Sequence, residues 1–351
     1  MPAISIDTFF ACSLMVLLVL SAMTATVKIL HPLLNASAYN EAQRLGEVAR
    51  RIMLYAGKPA DWGKCGLTAP EEFGLAMAEA ETPYTLDPDK VSRLNSENVY
   101  CLSYAQIFTS LKTPDLSIRI EVKPLFNVKL NLTATFESVD KRVYTFEATL
   151  ERDSGVRVSA NLKVYALAGS LFLQNSILPN VDGEASFNIT APKSLESPIL
   201  LVVFAKSTQN SRIASYAVYY LAGGEKPLPK GAFLRLSPIN QTLTITSTCS
   251  GVFLEGVYAI TFNHVGRLSQ TRNNVFGIPL FVDASPMVLV ATGWNTTQRF
   301  IEWTAYPQIP LQTGVNFSNL LSTLNVYVYE HLVSINHCIY KCAIFLGGLK
   351  G

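Results

Sequence analysis

The chain has 351 residues, of which 49% are hydrophobic and 15% charged, with a formal net charge of +2. This near-neutral balance, without a basic tract or Arg/aromatic interleaving, excludes the electrostatic footprint of a nucleic-acid binder. The length rules out a miniature scaffold and leaves room for two or three domains, each able to bury a core.

Residues 8–27 form a charge-free run between Asp7 and Lys28, centred on Leu14-Met15-Val16-Leu17-Leu18-Val19-Leu20. As a helix, this run would extend roughly 30 Å, the thickness of a bilayer's hydrocarbon core. A cleaved secretory signal is the rival reading. The flanks favour a retained anchor, because residues 1–7 contain no Lys or Arg and Ala22-Met23-Thr24-Ala25 matches a cleavage site only loosely. Lys28 and Arg44 follow the run, so the positive-inside rule by itself would keep the following chain cytoplasmic. Six Asn-x-Ser/Thr acceptors, at Asn35, Asn131, Asn188, Asn240, Asn295 and Asn316, point the other way, to an extracytoplasmic head and candidate glycosylation.

Beyond the anchor, residues 28–130 read as a long helix leading into a small α+β membrane-proximal module. Pro32 would kink or restart the helix. The apolar positions Ala42, Leu45, Ala49, Ile52 and Met53 recur at helical spacing over residues 36–56. Gly57 and Pro59 then end the helix. Short helices are expected at 86–94 and 104–111, and alternation over 116–122 predicts a strand. Cys65 and Cys101 fall in this one module and form the favoured disulfide of an oxidising compartment, with Cys249 left to meet Cys338 or Cys342.

The apolar N-terminus, the continuing helix, the turn Gly57-Lys58-Pro59-Ala60-Asp61-Trp62-Gly63 and the segment Phe73-Gly74-Leu75-Ala76 together resemble archaeal pilin-like, membrane-anchored surface proteins over about residues 1–130. The resemblance implies an N-terminal helix that anchors the chain or packs into a filament, with the head displayed outside. Residues 1–7 depart from a processed pilin in lacking a basic leader and a small residue at the peptidase site.

Residues 131–224 change to short alternating strands, at 143–150, 160–165, 185–189, 199–205 and 214–220, the spacing of a β-sandwich. The Asp182-Gly183 turn resembles that of immunoglobulin-like and prealbumin-like modules. Residues 223–231 read as a linker. A second β-rich domain fills 225–351, with strands at 243–248, 257–262, 275–282, 287–291, 300–306 and 324–335, and a closing strand at 339–346.

No Gly-x-Ser-x-Gly elbow, His-Glu-x-x-His helix, P-loop or Cys-x-x-Cys pair occurs, and His31, His264, His331 and His337 sit in no catalytic signature. Cys338 and Cys342 beside His331 and His337 lack the second paired motif of a zinc site. Trp294, Trp303 and Tyr306 near Asn295 and Gln298 form a candidate sugar-stacking group, with core packing as the alternative. No catalytic residue, cofactor or metal is assigned.

The expected protein is therefore a non-enzymatic, single-pass, extracytoplasmic structural or adhesive component. Its partners would be the bilayer and protein or glycan surfaces, with no nucleic acid. A surface receptor for a polysaccharide or small solute is the alternative, and a membrane-anchored hydrolase the third reading.

Overall fold

The computed structural model describes residues 6–195, 197–221, 229–280, 283–317 and 324–349. The expected linker at 223–231 and the end of the expected strand at 275–282 fall partly outside these residues, as do the side chains of His31 and Asn35. The chain divides into two compact units, Met1–Ala49 and Arg50–Gly351.

Helix α1 (Ile6–Leu54) accounts for the described residues of the first unit, with its last five residues in the second, and continues through Pro32, which removes one ladder donor without ending the helix. Its Phe9–Lys28 segment has a mean hydropathy of 2.2 and none of it is buried. This is long and apolar enough to cross a membrane, a test that a signal sequence also meets. Three hydroxyls within the segment are satisfied by the helix itself. Ser21 Oγ donates to Leu18 O at 2.9 Å, Thr24 Oγ1 to Leu20 O at 3.0 Å, and Thr26 Oγ1 to Ala22 O at 2.7 Å. Unpaired polar groups would be costly in hydrocarbon, and these are paired.

The second unit is mostly β. It opens with helices α2 (Pro88–Ser92) and α3 (Tyr104–Leu111), both as expected, and Gly57, at φ +83°, ends the preceding helix. Strand β1 (Ser117–Pro124) follows. Strands β2 (Asn127–Glu137) and β3 (Lys141–Glu151) pair as a hairpin, and β4 (Ser159–Ala168) pairs with β5 (Leu171–Asp182). Strand β6 (Glu184–Pro192) joins β3, while β7 (Ile199–Ser207) and β8 (Ala214–Leu221) extend the β4 sheet. The result is a two-sheet sandwich with strand orders β2-β3-β6 and β5-β4-β7-β8.

Two further sheets stack on this sandwich. Strands β9 (Leu234–Ile239) and β10 (Thr242–Ser247) pair with β14 (Val275–Gly277) and β13 (Gln270–Arg272). Strands β11 (Phe253–Ile260), β12 (Val265–Arg267), β15 (Met287–Trp294) and β16 (Arg299–Tyr306) make the sheet between. Three apolar layers separate the four sheets. Leu201 and Val203 of β7 pack with Phe146 and Ile189 inside the sandwich. Leu200, Val202 and Phe204 face the other way, onto Val288, Val290 and Ile301. Leu289 and Ala291 of β15 then pack on Leu236, Leu243 and Phe276. Strands β7 and β15 are thus covered on both faces, so their sequences are continuous apolar runs rather than alternating ones.

The final sheet joins strands far apart in the chain. Strand β1 pairs with β17 (Leu311–Gly314) and β19 (Cys338–Leu349), with β18 (Leu324–Ile335) on the edge. The register runs from Ser117↔Gly347 to Pro124↔Tyr340, so the module expected at 28–130 and the domain expected at 225–351 share a sheet. Pairing between strands so far apart in the chain leaves no local pattern, because the period-2 signal reports a strand's faces and not its neighbours. Strand β5 was not expected. Its outer half carries Gln174, Asn175, Ser176 and Asn180, which blur the alternation. The Asp182-Gly183 step links the two sandwich sheets rather than closing a hairpin, and a Cβ on Gly183, at φ +79°, would lie 2.6 Å from Arg157 Cβ.

Truncating Phe204 removes a fully buried ring between the sandwich and the next sheet. Phe204→Ala is expected to cost about 3–5 kcal/mol, read from denaturant midpoints of the detergent-solubilised chain. The exposed Phe136→Ala is expected to change stability by no more than about 0.5 kcal/mol.

Candidate functional site

Several polar groups of the second unit line a cleft of about 360 Å³. Its floor is the start of α2. Asp87 caps this helix, its Oδ1 accepting from the backbone N–H of Asp89 at 2.9 Å and of Lys90 at 3.2 Å, with Pro88 in the first turn. Helix geometry then turns Asp89 one way and Lys90 and Arg93 another. Lys90 Nζ donates to Ala56 O at 2.8 Å and Ala76 O at 2.7 Å, and Arg93 donates to the carbonyls of Trp62, Gly66, Thr68 and Tyr100. Both cations lie over the Trp62 ring, at 5.9 and 5.4 Å from its centre. Burial lowers the affinity of each for its proton. They brace the floor and leave Asp89 to the cleft.

Asp89 is 5% exposed, and its Oδ1 accepts from Tyr306 Oη and from the Asn240 backbone N–H, both at 2.8 Å. Burial raises its carboxyl above the ordinary carboxylate range, against the lowering effect of these two donors. Tyr306 is shifted upward as well, by burial and then by the Asp89 charge. Across the cleft Asp283 goes the other way. Burial opposes its ionisation, but Lys206 Nζ at 2.9 Å, the Asn263 N–H at 3.1 Å and Ser285 Oγ at 3.1 Å outweigh it and hold the carboxyl below its usual range.

Two hairpin tips complete the walls. Asn240-Gln241 joins β9 to β10, and Asn336-His337 joins β18 to β19. All four residues have positive φ, from +46° to +66°, the conformation of two-residue turns in which Gly is preferred at the second position. Here the second positions are Gln241 and His337, so each tip carries a polar side chain at the cleft instead of a hydrogen. Met77, Ile278, Leu280 and Met287 supply an apolar side. The arrangement suits a small solute that gives hydrogen bonds to carboxylates and amides while resting on aliphatic carbon.

The sequence placed its stacking residues elsewhere, and they do not converge. Trp294 is 42% exposed and stacks on Phe253 at the far end of β15. Trp303 lies under Lys230 Nζ at 4.2 Å and edge-on to Tyr216. Trp303 and Tyr306 are three apart on β16 and so point to opposite faces, and Trp294 is roughly 23 Å along the sheet from Tyr306 at 3.3 Å per residue. Only Tyr306 reaches the cleft, by hydrogen bonding rather than stacking.

Of the acceptor asparagines, Asn131, Asn188, Asn240 and Asn316 are exposed, while Asn295 is half-buried with its Oδ1 taking the N–H groups of Thr297 and Gln298. All six cysteines are free thiols. Neither the Cys65–Cys101 bond nor the Cys249 pairing expected from the sequence is formed in this structure; Cys249 packs on the β9–β16 core while Cys338 and Cys342 are buried on β19. Burial pushes both β19 thiols up to about 12. Among the described residues no group of three or more His, Cys, Asp and Glu is placed to hold a metal ion.

Asp87, Asp89, Lys90 and Arg93 were missed as functional positions. The Asp87-Pro88 pair, a cap followed by a first-turn proline, was the available signal for α2, but nothing local marks the burial of these four charges.

No family profile matches this chain, and no protein of assigned function matches it in sequence. Among solved structures, HBP35 of Porphyromonas gingivalis aligns with 55% of this chain at 11% identity and a TM-score of 0.19. The alignment spans 64% of that protein's chain, less than two thirds of its length, and at this score it carries no inference about fold or function.

The raised carboxyl of Asp89 sets a direction for pH dependence. Below its ordinary value of 3.8 the group is protonated whether folded or unfolded. Between that value and the raised folded value the native state alone holds the proton, so stability falls as pH rises through this window. Asp89→Asn is expected to flatten this slope in thermal melts across pH 4 to 7. Asp89→Ala, which strands the buried Tyr306 hydroxyl, is expected to cost about 1–3 kcal/mol.

Proposed function

We propose that this chain is a membrane-tethered cell-envelope protein that displays its stacked β-sheets outside the membrane and acts by contact rather than catalysis. The observation that carries the reading is the Phe9–Lys28 helix, 20 residues with none of its apolar surface buried and with the hydroxyls of Ser21, Thr24 and Thr26 bonded within the helix. Four exposed acceptor asparagines on the second unit support an extracytoplasmic side. The resemblance of residues 1–130 to archaeal pilin-like surface proteins supports the finer reading of a structural or adhesive component.

The cleft favours a second reading, a tethered receptor for a small polar solute. Its support is the convergence of Asp87, Asp89, Asn240, Gln241 and His337 on one concavity of ligand size.

The deciding experiment is protease shaving of intact cells with mass spectrometry of the N-terminus and of the acceptor asparagines. Tethered display predicts release of the β unit from outside, with residues 9–28 retained in the membrane fraction. A protected β unit without glycans would overturn the reading, and the positive charges after the helix would then have set the orientation. Release of the whole chain cut near residue 25 would make the helix a signal.

A further inference from the structure

We propose that Cys65 and Cys101, both free thiols in this structure, close into a disulfide on oxidation, and that this bond locks the segment carrying the cleft carboxylates. Both thiols are exposed and open to an oxidant. Their loops are gathered by one buried side chain: Arg93 donates through Nη2 to Gly66 O at 3.4 Å and Thr68 O at 2.9 Å, and through Nε to Tyr100 O at 3.0 Å. Gly66 and Tyr100 are the chain neighbours of Cys65 and Cys101, and both sulfurs lie within electrostatic reach of the guanidinium.

The two loops also touch, with the Gly66 backbone lying against the Tyr100 ring. A Cβ on Gly66 would fall 2.5 Å from the Tyr100 ring, an approach that only glycine permits. Each loop is pinned locally, Cys65 N–H to Trp62 O at 3.4 Å, Cys101 N–H to Asn98 O at 3.1 Å and Leu102 N–H to Arg93 O at 2.8 Å. The other cysteines differ in kind. Cys12 lies in the apolar helix, Cys249 is half-buried, and Cys338 and Cys342 are buried.

The bond forms by thiol–disulfide exchange. One thiolate attacks an exogenous disulfide and expels a thiol; the second thiolate then displaces the rest from the mixed disulfide. The two cysteines together lose two protons and two electrons, and the oxidant is reduced to two thiols. The loop so closed contains α2, with Asp87 and Asp89, and begins one residue after Lys64 on the cleft wall. Reducing it would loosen the cleft floor before the stacked sheets.

Occurrence of the bond in cells rests on the extracytoplasmic reading, while its geometry does not. The test therefore has two arms. Purified full-length chain in detergent is treated with glutathione disulfide, alkylated and digested without reduction. The expected result is a crosslinked Cys65–Cys101 peptide and a rise in melting temperature that Cys65→Ser and Cys101→Ser each abolish. Separate glutathione adducts on both cysteines, or dimers linked through them, would overturn the pairing. Rapid alkylation of intact cells is the second arm. The same crosslinked peptide supports both readings, whereas a pair that forms in the tube but is alkylated in cells upholds the geometry and overturns the extracytoplasmic placement.

Discussion

Strands β7 and β15 have no solvent side, and the order of layers in the second unit follows from that constraint. A strand buried on both faces needs apolar cover above and below, so each must lie in a sheet flanked by two others. β7 is covered by the β2-β3-β6 sheet and by the β15 sheet; β15 is covered by β7 and by the β9-β10 sheet. Each inner sheet therefore belongs to two cores.

The segment between Gly57 and Leu111 obeys a different rule. It is small, and its centre holds Lys90 at 0% and Arg93 at 2% exposure, with backbone carbonyls as their hydrogen-bond acceptors. A buried cation without its acceptors is severely destabilising, so the turns that present those carbonyls are held in one arrangement. A polar seam joins this segment to the stack. Asn98 Nδ2 bonds Pro238 O at 3.1 Å and Gln308 Oε1 at 2.8 Å, and Asn95 Nδ2 bonds Gln308 O at 3.2 Å. With the Asp89–Tyr306 bond and the β1–β19 ladder, these contacts bring α2 and the two hairpin tips to the same cleft.

The cleft and the apolar helix bear on separate questions. The helix bears on where the chain resides, through a continuous apolar surface that water disfavours. The cleft bears on what the head can hold, through acceptors fixed by capping, by burial and by turns at positive φ. Strained turn positions with side chains in place of glycine recur where a fold presents polar groups to a ligand. That pattern links the hairpin tips to the receptor reading more directly than the aromatic residues do.

The sequence by itself determined the elements whose signal is local. The apolar helix, the sandwich strands at 143–150, 199–205 and 214–220, the short helices near 86–94 and 104–111 and the closing strand at 339–346 all follow from periodicity, capping and length. Tertiary structure alone decided that β1 joins the C-terminal strands, that Trp294, Trp303 and Tyr306 stay apart, and that Asp89 faces a cleft while Lys90 and Arg93 brace its floor. The physical reason is range. Backbone propensity and side-chain period act within a few residues, whereas strand partners, buried charges and cavities depend on groups brought together across most of the chain.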